Sequence, residues 1–230
     1  FTNTVKGSTA NAAVISREGE SLKTVTYADL WTKSLKLGNK LKDSGIHPGE
    51  RVAVILENQA EYAFIPFAIF YTSAVFVPLD PQLPPPQIKQ LLVHAGARIL
   101  LIGEKILTRI KETLPPIETW VVDSESFRWE MLNIKTSLHF LDDGSPHKLA
   151  ALFYTSGTTD TPKAVMLSHQ NLLSNVAALT ELHLIVKSDR IVSMLPLHHT
   201  YAFTTTLLTP LLTGAAITYP GGLSTTDIIT

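Results

Sequence analysis

Leu30, Leu37 and Leu41 recur at helical spacing behind Thr26 and Asp29, which have the separation of a capping box, and Gly45 ends the pattern. An unbroken apolar run predicts a buried strand over residues 52–56, and Asn58 beyond it is placed to cap the next helix. Residues 62–79 carry no charge, a length close to the ~20 residues that span a bilayer as a helix. Pro66 and Pro78 interrupt that stretch. Its period changes from helix-like over 63–70 to strand-like over 75–77, so it predicts a buried helix and then a strand over 74–78. Pro84, Pro85 and Pro86 open a further helix that carries Leu91 and Leu92 to Gly96, and strands are expected over 99–102 and 120–122.

Residues 123–147 are the least regular, with a turn cluster at Asp142, Asp143, Gly144, Ser145 and Pro146. They read as a surface connection between a first subdomain, 1–147, and a second, 148–230. Strands are expected beyond it over 149–153, 164–167, 190–194 and 215–219, with a helix over 171–184. Alternating helices and strands predict an α/β fold with mainly parallel sheets flanked by helices. Residues 228–230 read as the start of another helix, an unusual end for a finished domain.

Composition narrows the function classes. The 230 residues carry 19 Lys and Arg against 20 Asp and Glu, a formal net charge of −1. No basic stripe offers a nucleic acid an electrostatic footprint. The absence of cysteine excludes disulfides and thiolate metal sites. A reducing cytoplasm is the default compartment. Residues 1–6 lack the basic start, apolar core and cleavage site of a signal peptide, and no transmembrane segment is expected.

The candidate chemistry is concentrated in Tyr154-Thr155-Ser156-Gly157-Thr158-Thr159-Asp160-Thr161-Pro162-Lys163-Ala164-Val165. Flanking apolar runs predict a hairpin whose polar tip turns hydroxyls and backbone N–H groups toward an anion, with Lys163 as a point charge. Gly157 and Lys163 have the separation of a Walker loop, but Pro162 and Ala164 break that pattern and no helix follows at once. An ordinary Thr- and Ser-rich turn is the bland alternative. Residue for residue, the string resembles the phosphate-binding signature of the adenylate-forming superfamily, Tyr-Thr-Ser-Gly-Thr-Thr-Gly-x-Pro-Lys-Gly-Val, which ends in a histidine matched by His169. Asp160 and Ala164 stand where that family usually has glycine. Alanine is tolerated wherever φ is negative. A carboxylate at the tip adds like charge beside phosphate, so Asp160 is expected to weaken nucleotide binding.

A second constellation is Leu195-Pro196-Leu197-His198-His199-Thr200-Tyr201, placed where a strand gives way to a helix. Adjacent side chains are expected to diverge, no acidic cluster or H-E-x-x-H helix argues for zinc, and Ser156 lacks the turn of a Ser/His hydrolase. The residues alone favour structural histidines. The segment nevertheless resembles the Leu-Pro-x-x-His motif of the same superfamily. The resemblance implies that His199 lies beside the carboxylate substrate and that Tyr201 helps wall the acyl pocket. Residues 204–212, apolar and threonine-rich, read either as a tunnel lining for an aliphatic tail or as a core helix. A third likeness, Ser73-Ala74-Val75-Phe76-Val77-Pro78-Leu79-Asp80-Pro81, extends the resemblance over nearly the whole chain from Thr26 onward.

The resemblance implies the N-terminal portion of an enzyme closest to fatty acyl-CoA or acyl-carrier-protein synthetases. Such enzymes take ATP, Mg2+ and a carboxylic acid to an acyl-adenylate, then pass the acyl group to CoA or a carrier-protein thiol. Thr155, Ser156, Gly157, Thr158, Thr159 and Lys163 would hold the phosphates; no residue here is given a catalytic or metal-binding role. The family's Mg2+, ribose and lysine motifs are expected beyond Thr230, and the fragment alone is expected to be inactive. A long-chain substrate would bring peripheral membrane contact. The alternatives are a degenerate nucleotide-binding scaffold and a domain that activates amino acids or aryl acids.

Overall fold

In the computed structural model the described residues are 2–18, 21–134, 145–155 and 162–220. The chain begins with α1 (Thr2–Ser8), β1 (Ala12–Glu18) and β2 (Ser21–Thr26), which the pattern reading did not assign. Strand β2 is exposed except at Val25 and Thr26, so it carries no alternation to detect. The expected capping box then forms in both directions. The Asp29 carboxylate accepts from the Thr26 hydroxyl at 2.7 Å and from its N–H at 3.3 Å, while Asp29 N–H donates to Thr26 Oγ1 at 3.1 Å. Helix α2 (Tyr27–Asp43) follows, with Leu30, Leu37 and Leu41 almost wholly buried.

Next come β3 (Arg51–Ile55), α3 (Ile65–Tyr71) and β4 (Val75–Pro78). The uncharged stretch is therefore a short helix and a buried strand, as its change of period predicted. No helix among the described residues is long and apolar enough to cross a membrane. Helix α4 (Pro85–Ala95) starts on the proline run and stops at Gly96, whose φ of 59° and ψ of 44° suit glycine. Then follow β5 (Ala97–Ile102), α5 (Glu104–Ile110), β6 (Glu118–Val121) and α6 (Glu125–Asn133). Helix α6 occupies part of the stretch expected to be an irregular connection. Ser124 Oγ caps it by accepting from Phe127 N–H at 3.2 Å, and Phe127 and Met131, one turn apart, bury its inner face. The chain continues through β7 (Leu149–Thr155), β8 (Lys163–Ser168), α7 (His169–Glu181), β9 (Arg190–Val192), α8 (Thr200–Ala202), a π-helical segment (Phe203–Leu208), α9 (Thr209–Thr213) and β10 (Ala216–Tyr219). The helix expected from residue 228 lies outside the described residues, as do Asp142, Asp143 and Gly144 of the turn cluster.

Two compact units result. The first takes the described residues up to Thr32, from Asn58 to Phe64, and from Leu172 on. Its sheet has the order β2-β1-β10-β9, parallel except for the β1–β2 pair. Tyr27, Phe203, Leu207, Leu211 and Ile217 are fully buried in it. The second unit spans residues 33–57 and 65–171, and the expected division at 147/148 falls inside it. Its sheet has the order β6-β5-β3-β4-β7-β8 and is parallel except for the β7–β8 pair. Ala53 and Ile55 of β3 pack into a cluster with Ile88, Leu91 and Leu92 of α4 and Ile106 and Ile110 of α5. Val52 and Val54, facing the other way, are equally buried. Burial on both faces of a strand is what makes its sequence a continuous apolar run.

Candidate functional site

The apolar runs around the hydroxyl-rich string form the predicted antiparallel hairpin. Thr155 pairs with Lys163, Tyr154 with Ala164 and Phe153 with Val165. Phe153 anchors β7 by meeting the Phe76 ring edge-on at 6.3 Å. Both ends of the string are tied to neighbouring helices. The Tyr154 hydroxyl shares a 2.8 Å hydrogen bond with His94 Nδ1 of α4, and burial pushes that hydroxyl's pKa above the ordinary tyrosine value. At the far end, His169 meets Phe70 of α3 edge-on at 5.2 Å. Ser168 and Asn171 cap α7 reciprocally, Ser168 N–H donating to Asn171 Oδ1 at 2.9 Å and Asn171 N–H to Ser168 Oγ at 3.2 Å.

Thr155 and Lys163 thus face each other, both exposed, at the carboxyl end of β7. That end of a parallel α/β sheet is where ligand clefts form. The expected phosphate contacts of Ser156, Gly157, Thr158 and Thr159, and the departure at Asp160, lie outside the described residues. Ala164 sits in β8, and positive φ among the described non-glycine residues is confined to Ser73 and His183. Its extra methyl is therefore placed on ordinary extended backbone.

In the first unit, β9 leads into the histidine segment. His199 N–H donates to Pro196 O at 3.1 Å, closing a turn, and His199 O accepts from Phe203 N–H at 2.9 Å, opening the helix. Leu197 is buried at 1%, His199 is exposed, and Tyr201 is 71% exposed. The expectation that the imidazoles diverge is not met: their centroids are 4.3 Å apart with planes at 52°. Alternation belongs to strands, and these residues close a turn. Behind them Thr204, Thr205 and Thr206 each donate a hydroxyl hydrogen bond to the carbonyl four residues back, and Phe203, Leu207 and Leu208 are buried.

Asn58 corrects a further expectation. Its side chain caps no helix; the one-turn helix Ala60–Ala63 has Gln59 at its N-cap with no side-chain bond. The amide instead bonds the segment that carries the histidines, donating to Leu195 O at 2.7 Å and Ser193 O at 3.1 Å and accepting from Leu197 N–H at 3.2 Å. Its place after a buried strand is the ordinary signal of a cap, and one sequence holds no sign of a partner 139 positions away. Among the described residues no group of three or more His, Asp or Glu side chains could hold a metal ion.

The hairpin and the histidine turn carry the two strings that resemble the adenylate-forming superfamily. The AMP-binding enzyme family matches residues 1–229, and this chain is a member of it. It is 31% identical over 173 residues to a CoA ligase of Gibberella moniliformis, covering 74% of this chain and 29% of that protein. It is 30% identical over 174 residues to gramicidin S synthase 2 of Brevibacillus brevis, covering 76% of this chain and 4% of that protein. The fold also superposes on O-succinylbenzoate coenzyme A synthetase from Bacillus subtilis in complex with AMP, with a TM-score of 0.82 at 22% identity over 99% of this chain and 45% of that one. The chain therefore spans less than half the length of each.

Proposed function

We propose that the full-length protein activates a carboxylic acid with ATP and transfers the acyl group to a thiol, with a fatty acid as the favoured substrate. In the first step a carboxylate oxygen bonds to the α-phosphorus and the bond from that phosphorus to the β-bridging oxygen breaks, giving an acyl-adenylate and pyrophosphate. In the second, the sulfur of CoA or a carrier protein attacks the acyl carbon and AMP leaves. Little covalent chemistry falls to the protein; it positions the reactants and offsets developing charge. Thr155, Ser156, Gly157, Thr158, Thr159 and Lys163 would hold the β and γ phosphates, His199 would meet the carboxylate, and Tyr201 would shape the acyl pocket. Mg2+, held by one or two carboxylates together with the phosphates, would offset their charge, its protein ligands coming mostly from outside residues 1–230.

The observation that carries this reading is the hairpin, whose register sets Thr155 opposite Lys163 at the carboxyl end of β7. A degenerate scaffold drew support from Asp160 and Ala164, and the extended backbone at Ala164 removes half of it. Amino-acid activation is the second reading, favoured by the likeness to gramicidin S synthase 2 and disfavoured by the His198–His199 pair, which resembles the acyl-CoA synthetase and luciferase branches more than peptide-synthetase domains. ATP–pyrophosphate exchange by the full-length protein with fatty, aryl and amino acids tests all three. Exchange with fatty acids is expected. Exchange with amino acids alone would select the second reading, and none with any acid would select the scaffold.

A further inference from the structure

We infer that Asn58 is a positioning residue for His199, a role that rests on the acid-activating reading. A carboxamide offers two donors and one acceptor to this segment, and Asn58 uses both kinds on a single run of backbone: Ser193 O, Leu195 O and Leu197 N–H. The run begins where the sheet lets go. Ser193 N–H still pairs with Thr218 O of β10 at 2.9 Å; beyond it the Asn58 amide takes the place of a neighbouring strand. Leu197, the last group held, is buried and sits inside the turn that His199 closes on Pro196. Asn58 therefore fixes the backbone two residues ahead of His199 without reaching the reacting atoms.

Aspartate is nearly isosteric and keeps the acceptor, but it loses both donors and sets a carboxylate against two carbonyl oxygens. Asn58→Asp and Asn58→Ala thus attack the same clamp by different routes, so one informs if the other fails to fold. Hydrogen–deuterium exchange of the full-length protein should run about tenfold faster or more over residues 193–199 in either variant, with residues 51–55 unchanged. Unchanged exchange at 193–199 would overturn the clamp. In ATP–pyrophosphate exchange, kcat/KM for the acid should fall about 10- to 100-fold, the scale expected from ångström misplacement. KM for ATP should move less than about twofold, since the phosphate-holding residues are untouched.

A double-mutant cycle separates positioning from mere stability. In a His199→Ala background, Asn58→Ala should cost less than about twofold, because the group it orients is gone. Additive losses, or equal losses in the acid and ATP parameters, would overturn the positioning role. A wild-type protein that exchanges pyrophosphate with no acid would overturn the acid-activating reading and the positioning role with it, whereas the deuterium result would still decide the clamp.

Discussion

Alanine at Gly38 sets two effects of similar size against each other. The residue lies inside α2, where glycine costs about 1 kcal/mol relative to alanine, so propensity alone favours Gly38→Ala by that amount. A Cβ built there would stand 2.5 Å from Tyr71 Cδ1 and 3.2 Å from Ala68 O. The ring can swing away, but Lys42 Nζ sits 3.6 Å from its centroid, and leaving that cation–π contact costs about 0.5–1 kcal/mol more. The Ala68 carbonyl is backbone and no rotamer relieves it. Overpacking of this kind costs about 1–3 kcal/mol, so the steric term exceeds the propensity gain. We expect Gly38→Ala to lower stability by about 1 kcal/mol, which in a domain this size lowers Tm by about 2–4 °C. Urea unfolding of the full-length protein, with m held constant, measures it. In a Tyr71→Ala background most of the clash is gone, and the same substitution should stabilise by about 0.5–1 kcal/mol. Stabilisation in the parent, or the same effect in both backgrounds, would refute the reasoning.

Four further outcomes follow from named groups. Lys163→Ala in the full-length protein should lower ATP–pyrophosphate exchange on the order of 10²-fold, the usual cost of one transition-state donor, and an unchanged rate would remove Lys163 from the phosphate site. Asp160→Gly should lower the Kd for ATP on titration, since it deletes a like charge beside phosphate; unchanged or weaker binding would sink that idea. Residues 1–230 alone should form no acyl-adenylate, and measurable product would overturn the expectation. Tyr27→Phe removes a fully buried hydroxyl that donates to Ala215 O at 2.6 Å, at a cost of about 1–2 kcal/mol near pH 7. Burial raises the pKa of that hydroxyl, so in alkali the unfolded chain releases the proton first; the stability is whole below about pH 10 and lost as pH climbs toward the native value. Stability of Tyr27→Phe should accordingly fall less steeply above pH 10, and parallel slopes would exclude Tyr27 as the linked group.

How far the fold could be read depended on where each element lies in its sheet. Strands β3, β4 and β5 are buried on both faces and announce themselves as apolar runs. Strand β2 sits at an edge, with Leu22 66% exposed, and its sequence carries neither a run nor an alternation. Helix α6 offered only a Ser124 cap and a Phe127–Met131 pair, too little to outweigh the charges around it. Neighbour order was illegible throughout. That β7 lies beside β4 and β10 beside β1 is decided by packing among distant residues, which local patterns do not encode.

The candidate site divides along the same physical line. Thr155, Lys163, His199 and Tyr201 were legible because each lies in a contiguous string whose chemistry can be read without knowing what surrounds it. The residues that hold those strings were not. His94 reaches Tyr154 across 60 positions and Asn58 reaches Leu197 across 139, and each looks locally like something else, a last-turn helix residue in one case and a cap in the other. The imidazole pair departs from the expected divergence because the alternation of neighbouring side chains belongs to strands, and His198 and His199 lie in a turn. Contiguous strings therefore reveal candidate side chains for a ligand and conceal those that bond the backbone from a distance. Catalysis depends on both, because a donor misplaced by about 1 Å can forfeit on the order of 10²-fold in rate. Asn58 links a backbone clamp to a candidate ligand-facing group, since its three bonds end two positions short of His199.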